Sequence, residues 1–249
     1  MPNPASPVVH AEMLHDRARM TAYFAAIAEI VKPGDVVVDL GTGTGILALA
    51  AAKAGARHVY AIEESQIGDV ATDVFAVNGV ADRVTLIRGR SSKIELPERA
   101  NVLITETLGN DPLDEGLLFY VADAQARLLV PGATILPWRL RLVVQLVDVP
   151  EGRIPSLSER DIASWRALYD MDLGPLLERS AGAQTNFSDG ARFLAALPRC
   201  SEPFEMGEID LRHATVPSID TTFTVTATRA ARQVGLALGY SLDLSPKVT

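Results

Sequence analysis

The stretch Val36-Val37-Val38-Asp39-Leu40-Gly41-Thr42-Gly43-Thr44-Gly45 decides the fold of this chain. Its first five residues form a continuous, mostly β-branched run, which is typical of a strand buried on both faces. Three glycines follow at alternate positions, and an Ala- and Leu-rich helix is predicted from there to Lys53. Glycines in such a turn let the backbone approach a ligand closely, because side chains there would clash with it. The sequence therefore predicts a ligand-binding loop between a buried strand and a helix.

Strands and helices alternate on the carboxyl side of this loop, and a helical pattern precedes it. Strand alternating with helix is typical of an α/β protein whose parallel sheet carries helices on both faces. Between residues 10 and 31, apolar side chains recur at three- and four-residue intervals, which predicts one or two amphipathic helices. The Pro-rich residues 1–8 are predicted to be extended. The downstream prediction is strands at 58–62, 84–88 and 102–105 and helices at 69–77 and 113–129.

The character of the sequence changes after Pro131-Gly132. A long strand-like stretch runs through Pro137, a mixed polar stretch follows, and the remainder alternates apolar and polar residues as antiparallel strands do. We therefore predict a first domain at 1–137 and a β-rich second domain, resembling part of a barrel, at 138–249. The segments concerned are the strand at 135–149, a helical arm at 151–189 with a helix near 162–169, and the alternating stretch at 203–243.

The composition argues against several classes of protein. The 249 residues carry 23 basic and 31 acidic side chains, a formal net charge of −8, which disfavours a nucleic-acid binder built on a basic surface. One cysteine and four histidines without ligand spacing disfavour a metal site. No apolar run approaches the roughly 20 residues that cross a bilayer, and the first residues lack a signal-peptide pattern. We therefore expect a cytoplasmic protein that holds no metal and binds neither nucleic acid nor membrane.

The spacing of the glycines indicates which class of cofactor the loop would bind. The dinucleotide fingerprint G-x-G-x-x-G would place its third glycine at Ile46, whereas here it comes one residue early, at Gly45. This spacing favours a cofactor without a pyrophosphate. Glu63 ends the second predicted strand, where a carboxylate can accept hydrogen bonds from ribose hydroxyls. A tight glycine turn beside an ordinary surface glutamate is the alternative.

Several segments resemble the S-adenosylmethionine-binding core of class I methyltransferases, and among these most closely the protein arginine methyltransferases. The match extends from about residue 10 to residue 173 and is thin beyond. The resemblance to the methyltransferase core rests on Asp39 to Leu47, 51–56 and 59–63. The resemblance to the protein arginine methyltransferases rests on 10–16 with Arg19 and Tyr23, on 105–109 with Glu115, and on 165–169 with 171–173.

The resemblance implies a Rossmann-like class I fold, S-adenosyl-L-methionine as the cofactor and a role for particular residues. Glu106 and Glu115 would hold the guanidinium of the acceptor, and Asp16 stands where the family has an aspartate that pairs with a histidine. The arm would dock onto the cofactor domain of a second subunit, which implies a homodimer. The residues implied to bind the cofactor are Met13, Arg19 (on its carboxylate), Asp39, Gly41, Thr42, Gly43, Gly45, Glu63 (on its ribose) and Ser92 (near the adenine amino group).

The chemistry of the two glutamates can also be argued from the residues themselves. Glu106 follows a buried strand and so lies at the carboxyl end of the sheet, where ligands collect in such folds. Asp111-Pro112 is typical of a helix start, so Glu115 could instead merely complement the helix dipole. Two carboxylates in one pocket repel unless a cation lies between them, and the planar fork of a guanidinium suits that place.

The predicted function is transfer of a methyl group from S-adenosylmethionine to a guanidino nitrogen of arginine, in a protein or free. A small-molecule N- or O-methyltransferase and a cofactor-binding partner subunit without turnover are the alternatives. Three departures loosen the prediction for the acceptor: no aromatic residue precedes His10, the family's Thr-His-Trp loop is not seen before the sequence ends, and Thr107 replaces a tryptophan.

Overall fold

The computed structural model describes residues 5–109, 113, 115–150, 152–153, 157–180, 191–213 and 222–248. Helices and strands alternate through the first half of the chain, and strands with short helices follow. The elements are α1 Pro7–Leu14, α2 Arg17–Ile30, β1 Val36–Leu40, α3 Ile46–Ala54, β2 His58–Glu63, α4 Ile67–Val77, β3 Val84–Arg88, β4 Ala100–Thr105, α5 Leu117–Arg127, β5 Leu129–Leu136, β6 Arg139–Asp148, α6 Glu159–Tyr169, α7 Gly174–Ser180, α8 Ala191–Ala196, β7 Phe204–Asp210 and β8 Val234–Asp243.

Five parallel strands form the central sheet, in the order β3-β2-β1-β4-β5. Strand β1 lies at its centre, and all five of its residues are buried, as the β-branched run predicts. The strand order reverses between β1 and β4, where Leu40 is paired with Thr105. In open α/β sheets ligands bind at such a switch point, outside the carboxyl ends of the strands. The residues after Leu40 and after Thr105 therefore share one crevice.

Helices cover the sheet, and two apolar clusters fill the space beneath them. One cluster joins α2, α3 and α4 to the strands, and the other joins α5 to strand residues such as Val38 and Leu103. The predicted helical stretch at 10–31 is two helices, separated at His15 and Asp16. Pro7 and Val8, predicted to be extended, belong to α1, because proline is tolerated in the first turn, where its missing N–H is not needed. The α/β fold with a parallel sheet is confirmed.

The long strand predicted at 135–149 is two strands in two sheets. Strand β5 ends at Leu136, a cis peptide bond joins Leu136 to Pro137, and β6 starts at Arg139. Strand β5 belongs to the parallel sheet, whereas β6 is the middle strand of a separate sheet with the order β7-β6-β8. The second, smaller sheet confirms that the chain becomes β-rich after the parallel sheet.

The chain divides into two compact units whose borders differ from the predicted domains 1–137 and 138–249. The first unit comprises the described residues within 1–143, 205–222 and 239–249, and the second those within 144–204 and 223–238. The cause lies in the first unit's core: Leu142 of β6 and Ile209 of β7 belong to the same apolar cluster as Leu40. The end of the chain therefore returns to the unit that carries the glycine loop. The helical arm predicted at 151–189 corresponds to α6 and α7, and residues 151, 154–156 and 181–190 lie outside the described part.

Candidate active site

The glycine loop connects β1 to α3, and its conformation requires glycine. Gly41, Gly43 and Gly45 all have positive φ angles, of 70°, 56° and 81°. Gly45 precedes α3, and a Cβ atom there would lie 2.5 Å from the ring of Phe75. Residues with side chains avoid both this conformation and this distance. The loop therefore presents its backbone at the carboxyl end of the sheet, as predicted.

Glu63 lies at the end of β2, directly beside the loop. Its carboxylate accepts hydrogen bonds from the backbone N–H of Gly43, at 3.0 Å, and of Ser65, at 2.7 Å. A carboxylate has about four acceptor positions, so two such bonds fix its orientation and leave capacity for a ligand. Glu63 therefore both shapes the loop and can accept hydrogen bonds from a diol.

A cavity of about 140 Å³ opens between the carboxyl ends of β1 and β2. Gly41 and Glu63 line it on the loop side, while Thr107, Ser91 and Tyr120 line other sides. The predicted Ser92 is not among the lining residues, and its neighbour Ser91 is. Sequence reasoning missed Tyr120, because its place at the cavity depends on the packing of α5 against the sheet.

Asp39 is a buried carboxyl group at the base of the loop. One oxygen accepts a hydrogen bond from the Thr42 hydroxyl at 2.6 Å, whereas Oδ1 has no hydrogen-bond partner among the described residues. Burial raises the pKa of Asp39 to about 7. An unpartnered buried acceptor is costly and fits a site completed by a donor, such as an ammonium or hydroxyl group of a ligand.

A chain of charged groups links the start of α2 to the end of β4. Asp16 caps α2 by accepting a hydrogen bond from the backbone N–H of Arg19 at 3.1 Å, and its other oxygen lies 3.3 Å from Arg19 Nε. Arg19 Nη1 in turn donates to Glu106 Oε1 at 3.0 Å. The structure therefore brings together three of the predicted site residues, and Glu106 already binds a guanidinium group.

Glu106 is mostly buried, with 13% of its side chain exposed. Burial raises its pKa to about 7; the cation of Arg19 lowers that pKa, and the charge of Glu115 raises it further. The two predicted acceptor carboxylates are therefore close enough to interact. Glu115 itself is exposed and precedes α5, which begins only at Leu117 after Gly116. The predicted helix start at Asp111 and Pro112 lies outside the described residues.

Helix α1 contacts the loop through a residue that was not predicted as part of the site. A Cβ atom on Gly43 would lie 3.0 Å from Cε1 of His10, so the imidazole rests against the loop. In the sequence, His10 is the first residue of the segment 10–16 that resembles the protein arginine methyltransferases, and this could have pointed to it. Met13, predicted to line the site, lies on the same helix with 37% of its surface exposed.

Two negative findings accompany this geometry. The described residues contain no group of three or more His, Cys, Asp or Glu side chains placed to hold a metal ion. Among the same residues, no helix has the length and apolarity needed to pass through a membrane.

The parallel sheet, the glycine loop and the acid at the end of β2 define the class I methyltransferase fold. In agreement, a family model described as ribosomal protein L11 methyltransferase (PrmA) matches residues 15–132. The particular resemblance is to the protein arginine methyltransferases, and three comparisons confirm it. A probable protein arginine N-methyltransferase 6 of Arabidopsis thaliana is 37% identical over 172 residues, which are 68% of this chain and 38% of the relative. Protein arginine N-methyltransferase 6 of Danio rerio is 32% identical over 215 residues, 85% of this chain and 60% of the relative.

A solved structure of a protein arginine methyltransferase is also similar to this chain. Protein arginine methyltransferase 10 of Arabidopsis thaliana is similar with a TM-score of 0.69 and 27% identity, over 86% of this chain and 65% of that chain. The chain thus spans about two fifths to two thirds of the length of the proteins it resembles. The family model and the relatives differ in the acceptor they name, and the model ends before β6. The relatives match longer stretches of the chain, of 172 and 215 residues.

Proposed function

We propose that this chain transfers a methyl group from S-adenosylmethionine to a guanidino nitrogen of arginine in a protein. The observation that carries the proposal is the binding of a guanidinium group, that of Arg19, by the buried carboxylate of Glu106 beside the cofactor loop. This ion pair supports the proposal that Glu106 accepts hydrogen bonds from the planar fork of an acceptor arginine.

The residues around the loop fit the cofactor. Glu63 has free acceptor capacity for the ribose hydroxyls, and the unpartnered oxygen of Asp39 provides an acceptor at the base of the loop. Gly41 and Gly43 allow the close approach of the ligand. When bound, S-adenosylmethionine supplies a methyl group that is already activated by its sulfonium.

The protein contributes alignment and electrostatics. Glu106 and Glu115 hold the acceptor guanidinium through two of its nitrogens and draw the positive charge towards them. The third nitrogen then retains more electron density and is the nucleophile, and the proton that it loses on methylation is released to solvent. Fixing it in line with the methyl group removes much of the entropic cost of the reaction.

A homodimer is part of this proposal. Helix α6 buries a single residue, Ile162, whereas Leu168, Tyr169 and Met171 at its end are 59% to 68% exposed. Exposed apolar side chains that lie close together favour an interface with a second subunit. The solved complex of the similar Trypanosoma brucei protein arginine methyltransferase 1 is a heterotetramer of enzyme and prozyme with AdoHcy. A cytoplasmic location stays a prediction from the sequence.

The proposal is tested by transfer of a labelled methyl group from S-adenosylmethionine to three acceptors. These are a glycine- and arginine-rich peptide, the same peptide with lysine at every arginine, and free arginine. We expect label in the first peptide only. Label in the lysine peptide would contradict the guanidinium site, and label in free arginine alone would favour the small-molecule alternative. Tight cofactor binding without transfer would favour a partner subunit that lacks turnover.

A further inference from the structure

Tyr240 lies on strand β8, far along the chain from the site residues, yet reaches their loop. Its hydroxyl oxygen is 3.5 Å from the carbonyl oxygen of Gly109, three residues after Glu106. The ring is partly buried against the apolar cluster that contains Leu108 and Leu117. The strand residues from 239 onwards belong to the same compact unit as the glycine loop.

The charged groups of the site also act on the pKa of the Tyr240 hydroxyl. Burial is the main cause that raises its pKa, the cation of Arg19 lowers that pKa, and the carboxylates of Glu106, Glu115 and Asp16 raise it. The phenol therefore keeps its proton at neutral pH and is a hydrogen-bond donor. A carbonyl oxygen is its natural acceptor in this environment.

A second tyrosine makes the corresponding contact on the other side of Glu106. The hydroxyl of Tyr23, on α2, donates to the carbonyl oxygen of Thr105 at 3.2 Å. The segment 106–109 thus lies between two phenols, one from α2 and one from β8. The backbone before Glu106 is also held by the pairing of Thr105 with Leu40 of β1. Gly109, in contrast, lies outside the strands. The contact from Tyr240 consequently matters more for the orientation of the segment.

We propose that Tyr240 is a positioning residue, which fixes the segment 106–109 through the Gly109 carbonyl and so keeps the Glu106 carboxylate aligned with the acceptor guanidinium. This inference rests on the proposed function. At 3.5 Å the hydrogen bond is long and weak, so its loss should cost little folding stability. Small misplacements of a catalytic group lower the rate strongly, because reaction requires a narrow geometry.

The variant Tyr240→Phe removes only the hydroxyl group, and Tyr60→Phe is the matched control. Tyr60 is a buried strand tyrosine whose charged neighbours are Arg57 and Glu98. For Tyr240→Phe we expect kcat with the arginine peptide to fall about five- to tenfold, by the misalignment argument. We expect the acceptor KM, the cofactor Kd and the unfolding midpoint to match those of the wild type and of Tyr60→Phe. An unchanged kcat, or a fall in kcat accompanied by an equal loss of cofactor affinity, would overturn the positioning role.

A second measurement needs no turnover and separates the two proposals. Backbone order parameters of residues 106–109 are measured by NMR in the wild type and both variants. We expect values near the rigid range, about 0.85, in the wild type and in Tyr60→Phe, and a fall towards about 0.6 in Tyr240→Phe. Equal values in all three proteins would overturn the inference even if arginine is methylated. Lower order parameters in Tyr240→Phe, together with no methyl transfer to arginine by the wild type, would support the positioning role of Tyr240 and contradict the proposed function.

Discussion

Two carboxyl groups at the carboxyl end of the sheet carry strongly raised pKa values. Asp39 and Glu106 are both buried, and burial is the leading cause in each case. Such groups favour a nearby cation, because a positive charge compensates the cost of the buried negative one. By our proposal, Asp39 faces the ammonium group of the cofactor, and Glu106 faces the guanidinium of the acceptor.

The raised pKa of Glu106 predicts an acidic limb in the pH profile of the enzyme. Glu106 is charged above its pKa of about 7 and neutral below it, so its attraction for a guanidinium is lost as the pH falls. With cofactor saturating, kcat/KM for the arginine peptide should fall about tenfold per pH unit below 7. Glu106→Gln should be slow at every pH and lack this limb. A limb that persists in the variant would assign it to another group.

The raised pKa of Asp39 predicts an effect on stability. Its folded pKa of about 7 lies above the ordinary value of 3.8, so the native state binds the proton more tightly than the unfolded state. The contribution of Asp39 to stability is therefore fully present below about pH 4 and is lost as the pH rises through 7. Each pKa unit corresponds to about 1.4 kcal/mol.

Urea unfolding at pH 5 and pH 8 tests this effect with Asp39→Asn, and the exposed Asp82→Asn is the control. Relative to the wild type, Asp39→Asn should gain stability between pH 5 and pH 8, by an amount of the order of a few kcal/mol. The control should show a constant difference from the wild type. A constant difference in Asp39→Asn as well would mean that the buried carboxyl group does not titrate in this range.

At the scale of elements, the strand, the glycine turn and helix α3 form one preorganised unit. Strand β1 is buried along its whole length, so the loop begins from a fixed point, and Gly45 with its positive φ directs the chain into the helix. Phe75 from α4 then packs where a side chain at this position would lie. The loop is therefore defined from both sides by packed elements.

Gly45→Ala and Gly79→Ala separate crowding from backbone conformation. Both glycines have positive φ, of 81° and 68°, but an added Cβ would meet Phe75 at 2.5 Å in the first case and nothing within 4 Å in the second. We expect Gly79→Ala to cost about 1 kcal/mol of unfolding free energy, from conformation alone. Gly45→Ala should cost about 1–3 kcal/mol more, from overpacking. Equal losses in chemical denaturation would show that Phe75 moves aside freely.

Some elements could be predicted from the sequence and others could not, for identifiable reasons. The bounds of β1 and β3 are those predicted, because their apolar runs end sharply at polar or glycine residues. Strand β5 was missed in part because it contains Pro131, which is tolerated at the edge of the sheet. Tyr240 and Ser91 could not be assigned to the site, since only tertiary packing brings them there.

At the scale of the whole molecule, chain order and compact units do not coincide. Segments of β6, β7 and β8 contribute to the unit that carries the glycine loop. No single boundary in the sequence therefore separates the two compact units. Strand β8, near the end of the chain, supplies Tyr240 to the segment that follows Glu106. Truncation before β8 is expected to impair the site as well as the second sheet.

The proposed homodimer predicts a particle of twice the chain mass of 26.7 kDa in light scattering at micromolar concentration. The double variant Leu168→Glu with Met171→Glu should give a monomer, because charge is costly in an apolar interface. Leu236→Glu is the control, since Leu236 is comparably exposed, at 56%, and lies outside the arm. A monomeric wild type, or a dimer that survives the double variant, would contradict a dimer formed through this arm.

The central claim is that Glu106 and Glu115 bind the guanidinium of the acceptor and not the cofactor. The most direct test is methyl transfer to the arginine peptide by Glu106→Gln and Glu115→Gln, with cofactor affinity measured by calorimetry in the same samples. Glutamine keeps the size of the side chain and removes its charge. We predict that turnover falls at least about tenfold in each variant, some 1.4 kcal/mol in the barrier, while cofactor affinity changes less than about twofold. Full activity in both variants, or loss of cofactor binding in both, would contradict the claim.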